Sequence, residues 1–134
     1  MNLIEWTDKE HINIAEVDEQ HEKFVSVANE LYKNLGSEKR WKTEMLLKEL
    51  TELTKLHFLT EEKLMKESNY EGFFSHKLEH DRFLNKLVSF ANNFEQGEEE
   101  VTMKFLQSVK NWLINHLELN DRKIGVYLNR KGIK

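Results

Sequence analysis

Apolar residues recur along this chain at intervals of three and four, the period of an α-helix with one buried face, in four long stretches. The first stripe, Phe24, Val25, Ala28, Leu31, Tyr32 and Leu35, predicts a helix from about Asp18, read as its N-cap, to Leu35, with Gly36 behind it. Met45, Leu46, Leu50, Leu53, Leu64 and Met65 predict a second over 37–68. Phe83, Leu84, Leu87, Val88, Ala91 and Phe94 predict a third over 75–96, and Val101, Phe105, Val109 and Trp112 a fourth after Gly97. A polar arm, residues 1–17, precedes the bundle of residues 18–120, and a short C-terminal helix and tail, residues 121–134, follow it. With no proline and only five glycines, the helices can run unbroken and the turn residues of a β-rich fold are scarce. Short loops favour antiparallel neighbours, so the expected fold is all-α: a single domain built as an up-down-up-down antiparallel four-helix bundle.

The stripes carry an anomaly, because each runs into histidine. The first extends backwards to His21, the second passes through His57 and Glu61, the third begins at His76 and His80, and the fourth ends at His116. In an antiparallel bundle these positions share one level. At about 1.5 Å of rise per residue they converge within a layer on the order of 10 Å thick. A lone histidine on an apolar stripe is ordinarily a hydrogen-bonded core residue. Five at one level, with a carboxylate at i+4 from His57 and Asp121 five residues after His116, are different, since burying them unpaired would cost several kcal/mol. A metal offsets that cost.

Five imidazoles and two carboxylates exceed the needs of one ion, so the expected arrangement is a metal pair bridged by Glu61 and Asp121. Nitrogen-rich ligation with carboxylates suits iron, and also zinc, copper or nickel, whereas magnesium and calcium prefer oxygen alone. On two octahedral ions sharing one bridging oxygen, this ligand set leaves a single position open, the place for a small ligand such as O2. His11, in the arm, reads as a solvated histidine. Glu62, Glu79 and Glu118 read as surface charges, with Glu62 and Glu79 placed to back a ligand. The run Glu98 to Glu100 reads as an acidic first turn of the fourth helix.

Composition narrows the function further. The 134 residues carry a net charge of −4 with no basic patch beyond Arg130 to Lys134, which argues against a nucleic-acid partner. The absence of cysteine excludes thiolate ligands, disulfides and a cysteine nucleophile. No apolar run approaches the roughly 20 residues of a membrane span, and the N-terminus lacks the pattern of a secretory signal, so a cytoplasmic location is expected.

The segments W-T-D at Trp6, V-D-E-Q-H ending at His21, H-F-L-T-E-E-K-L-M from His57, H-K-L-E-H-D-R-F from His76 and W-L-I-N-H-L-E-L-N-D from Trp112 to Asp121 resemble the bacterial hemerythrin family, in its single-domain bacteriohemerythrin form. The bundle topology is therefore implied by the resemblance as well as by the loops. The resemblance implies two iron ions per chain, with His76, His80 and His116 on one and His21 and His57 on the other, bridged by Glu61, Asp121 and an oxo or hydroxo group. It implies reversible O2 binding for carriage, storage or delivery, with O2 held as hydroperoxide at the two-histidine iron and an apolar wall that includes Phe58 and Leu113. Nitric oxide or peroxide are alternative ligands. The competing readings are a sensor of O2, nitric oxide or redox state acting with an unidentified protein partner, and a di-iron oxidase or peroxidase. Histidines outnumber carboxylates here, which favours binding over oxidation and hence a protein that is not an enzyme. The oligomeric state stays open, with a monomer favoured. Gly72 stands where the resemblance leads one to expect proline.

Overall fold

Amphipathic periodicity is realised as five α-helices: α1 (Ala15–Lys33), α2 (Arg40–Glu67), α3 (Phe73–Glu95), α4 (Met103–His116) and α5 (Arg122–Arg130). The structure, a computed structural model, describes residues 2–134 and contains no strand among them; the first residue of the predicted arm lies outside the described residues. α1 packs on α2, α2 on α3, and α4 returns to α1, giving the predicted antiparallel bundle with its short C-terminal helix. Between α4 and α5 the chain does not leave the helix. It passes through a π turn, Leu117–Asp121, which inserts one extra residue into the ladder.

Several helix ends depart from the sequence expectation. α1 starts three residues before Asp18, whose buried carboxylate instead accepts from the amides of Ile12 (2.8 Å) and Asn13 (3.0 Å), the latter at φ 64°. Asp18 thus holds the chain entering the helix rather than capping its first turn. α3 starts at Phe73 behind Gly72, which at φ −79° uses none of glycine's special freedom. α4 starts at Met103, capped by Thr102, whose hydroxyl accepts from the amide of Phe105 (3.1 Å). The acidic run 98–100 therefore lies outside the helix, and Glu100 pairs with Arg40 at 2.8 Å. Met45, expected on the core stripe, is exposed, and Leu47 takes the buried position.

The arm is also less polar than expected. Leu3, Ile4, Ile12 and Ile14 are buried, and the arm is pinned where Asn29 accepts from the Ile4 amide (2.8 Å) and donates to its carbonyl (3.0 Å). Ile12 lies against α5 at Gly125, where a Cβ would meet the Ile12 carbonyl oxygen at 2.7 Å.

Two apolar clusters result. One gathers Phe24, Leu31, Leu47, Leu50, Phe58, Leu87, Phe94, Leu106 and Leu113; the other gathers Ile12, Val17, Met65, Leu117, Ile124 and Leu128. On α1, His21 falls between Val17 and Phe24; on α2, His57 and Glu61 fall between Leu50 and Met65; on α4, His116 falls between Leu113 and Leu117. The polar residues thus form a layer between the two clusters.

Candidate metal centre

All five stripe histidines and both carboxylates converge in that layer. His21, His57, His76, His80, His116, Glu61 and Asp121 are buried, and His80 and Asp121 are fully so. Their ligand atoms fall into two groups, one of Glu61, His76, His80 and His116 and one of His21, His57, Glu61 and Asp121, each with its atoms within 4.8 Å of one another. Glu61 belongs to both. Asp121 also reaches both sides, with Oδ2 3.2 Å from Nε2 of His21 and Oδ1 3.2 Å from Nε2 of His116 and 3.3 Å from that of His76. The i+5 spacing of His116 and Asp121 would diverge on an ideal α-helix. The π turn brings the pair onto one face.

The arrangement fails as an ordinary hydrogen-bonded core. Both oxygens of Glu61, both of Asp121, both ring nitrogens of His21 and Nε2 of His76 are buried with no hydrogen-bond partner. Nε2 of His80 and Nε2 of His116 face each other at 3.1 Å. Seven orphaned atoms in one layer would be a heavy cost without a cation to satisfy them. Nitrogens and carboxylate oxygens directed at two shared points fit a pair of transition-metal ions.

Electrostatics agree with a site shaped for positive charge. Burial works against the protonated form of His76, yet the carboxylates of Asp121 and Glu61 outweigh it and raise its pKa to about 9. His21 and His80 are raised in the same way against burial, by Asp121 and by Glu61 with Glu62 respectively. His57 goes the other way, because its burial outweighs the pull of Glu61. Burial disfavours the Glu61 charge, but the histidines, His57 first, hold its pKa well below the ordinary carboxylate range, and Asp121 is likewise held low by His116 and His21 against burial. Both carboxylates are ionised and the metal-free pocket attracts protons or metal cations.

Each helix also braces the imidazole of the next. Gln20, beside His21 on α1, accepts through Oε1 from Nδ1 of His57 on α2 (3.0 Å), and its amide donates to Thr60 Oγ1 (3.0 Å). Glu62, beside Glu61 on α2, accepts from Nδ1 of His80 on α3 (2.9 Å). Glu79, beside His80 on α3, accepts from Nδ1 of His116 (3.1 Å) and from the amide of Asn120 (2.6 Å). These bonds fix which nitrogen of each ring faces inward. Glu62 and Glu79 take the backing positions foreseen for them, while Glu118 is exposed and plays no part. Gln20, Thr60 and Asn120 were not foreseen. Their signal was adjacency to His21, Glu61 and Asp121, which places a residue one helical step round, towards a neighbouring helix.

Phe58 stacks on His80, with centroids 3.8 Å apart and planes 2° apart, and Leu113 is buried in the adjoining cluster. Trp6, from the arm, tilts over His21 at 5.7 Å. His11 lies apart from the layer and pairs with Glu22 at 3.0 Å.

Fold and pocket together define a class: antiparallel helical bundles whose interior histidines and carboxylates are arranged to hold cations. The hemerythrin HHE cation-binding domain model matches residues 12–128, and the chain belongs to the hemerythrin family. Over 130 residues it is 30% identical to a bacteriohemerythrin of Methylococcus capsulatus, covering 96% of this chain and 99% of that one. A bacteriohemerythrin of Clostridium acetobutylicum is 31% identical over 123 residues, 88% of this chain and 95% of its own length. The crystal structure of a wild-type hemerythrin superposes with a TM-score of 0.89 at 30% identity, covering 94% of this chain and 98% of the other.

Proposed function

We propose that this chain, acting as one hemerythrin-like domain, binds O2 reversibly at a non-haem di-iron centre and serves its carriage, storage or delivery in the cytoplasm. The observation that carries this reading is the convergence of five buried histidines and two carboxylates whose facing atoms have no other partner, in a chain of the hemerythrin family. His76, His80 and His116 would hold one iron, His21 and His57 the other, and Glu61 and Asp121 would bridge them. When bound, the iron pair supplies the two electrons that O2 takes up and gives back.

The protein's own contribution is positional. Gln20, Glu62 and Glu79 fix three imidazoles by accepting from Nδ1, leaving Nε2 free to face inward. Phe58 and Leu113 keep the layer apolar on one side and exclude water, which protects the reduced centre from irreversible oxidation. The histidine-rich ligand set, in place of a carboxylate-rich one, supports a binding protein rather than an oxidase.

The test is to reduce the purified protein without air, record its visible spectrum, admit O2, purge and repeat, with iron measured on the same sample. Colour that appears with O2 and leaves on purging, at about two irons per chain, is the expected result. Colour that forms once and does not reverse, or a protein that takes up no iron, would overturn the reading.

A further inference from the structure

Outside the metal layer, a cleft of about 390 Å³ lies between α3 and α4. Across it Phe83 of α3 stacks on Trp112 of α4 at 3.9 Å and Phe90 of α3 on Phe105 of α4 at 3.7 Å, and both aromatic pairs line the cleft. The volume is within the range of small-molecule sites and suits one or two fused rings. At the rim stand Arg82 and Lys86, one turn apart on α3. Neither makes an ion pair among the described residues. Glu79, the acidic residue of the rim, already accepts from His116 and Asn120. An aromatic lining beneath two uncommitted cations, on a chain of net charge −4, is complementary to one ligand chemistry: a planar apolar body with a single negative group.

The cleft is wired to the metal layer at one residue. Trp112 forms part of its lining and lies nearly parallel to the His116 ring, 14° between planes at 4.4 Å, and Glu79 holds His116 through Nδ1. A ligand that displaces either residue reorients that imidazole. We propose that the α3–α4 cleft binds a small aromatic anion, held by Arg82 and Lys86 over the aromatic pairs, and that its occupancy is transmitted to the metal centre through Trp112 and Glu79 to His116.

The probe is naphthalene-2-sulfonate, with its uncharged parent naphthalene as the control, titrated calorimetrically into the iron-loaded chain. One sulfonate should bind per chain, and the uncharged parent at least tenfold more weakly. The double variant Arg82→Ala/Lys86→Ala should retain its iron and bind the sulfonate at least tenfold more weakly, and Ser108→Trp, which fills the cleft from its exposed rim, should abolish binding. Saturating sulfonate should shift the visible absorption of the iron centre in the wild type. No binding, or equal affinity in the double variant, would overturn the site; saturation without a spectral shift would overturn the coupling. Calorimetric binding does not depend on the O2 reaction, so failure of either reading is seen without the other.

Discussion

The imidazole of His57 is braced by an amide: its Nδ1 meets Oε1 of Gln20 at 3.0 Å, whereas the Nδ1 atoms of His80 and His116 meet carboxylates at 2.9 and 3.1 Å. A carboxylate partner makes an imidazole a stronger donor than an amide does. The two halves of the pocket are therefore electronically unequal, with the weaker bracing at His57, on the side of the pocket that holds two histidines. Gln20→Leu leaves a buried Nδ1–H without an acceptor, so stability should fall by about 1–3 kcal/mol and metal affinity by about 10–100-fold. Thermal melts and competition with a chelator measure the two effects separately. Gln20→Glu should retain the metal, and its oxygenated form should oxidise irreversibly at a different rate from the wild type.

Removing a ligand and removing a bystander should separate cleanly. His57→Ala deletes a side chain whose Nε2 lies 2.8 Å from Glu61 Oε1 and should abolish reversible colour change with O2. His11→Ala breaks only a half-exposed pair with Glu22 and should change neither iron content nor O2 affinity. Equal O2 affinity in the wild type and the His57 variant would refute the assignment.

The metal-free protein should carry a pH signature from His76. Its folded pKa, about 9, lies above the ordinary 6.5, so its stabilising contribution is complete below pH 6.5 and is lost as pH rises through 9. The Tm of metal-free protein should therefore drop by several degrees between pH 6.5 and 9.5. Metal displaces that proton, so the loaded protein should show no such step, and metal uptake at fixed concentration should strengthen with pH over the same interval. Parallel melts of both forms across this range provide the check.

Gly125→Ala probes the seam between the arm and α5. An added methyl would lie 2.7 Å from the Ile12 carbonyl oxygen and 2.8 Å from its Cβ. Overpacking of this kind costs about 1–3 kcal/mol, outweighing the better helix propensity of alanine. Calorimetry should show a lower Tm, with iron content unchanged because the added methyl meets Ile12 and not a side chain of the metal layer.

The bundle and its polar layer were legible because two signals coincide, a helical apolar period and histidines placed on it. His21, His57, Glu61, His76, His80, His116 and Asp121 could be singled out without any three-dimensional information. Less visible were features set by tertiary packing. Asp18 reads as a helix cap from its residue type, yet its carboxylate accepts from loop amides five and six residues upstream, at Asn13 and Ile12. The acidic run 98–100 matches the charge preference of a first turn, but Thr102 competes successfully for the start of α4. The arm reads as polar from its charges, although alternate residues such as Ile12 and Ile14 are buried. The π turn was present in the sequence only as the odd five-residue spacing between His116 and Asp121. The aromatic cleft was invisible, because Phe83, Phe90, Phe105 and Trp112 count as core in any periodic reading.

The bracing runs from each helix to the next, and a ligand contact returns it to the first. Gln20 of α1 holds a ring of α2, Glu62 of α2 a ring of α3, Glu79 of α3 a ring of α4, and Asp121, in the turn after α4, lies 3.2 Å from His21 back on α1. None of these residues sits on a segment joining two of the four helices, so the centre is indifferent to how its helices are threaded together. A chain cut between α3 and α4, or rejoined with its termini elsewhere, would present the same seven side chains, and the connecting loops are free to change in length and composition while the chemistry stays in place.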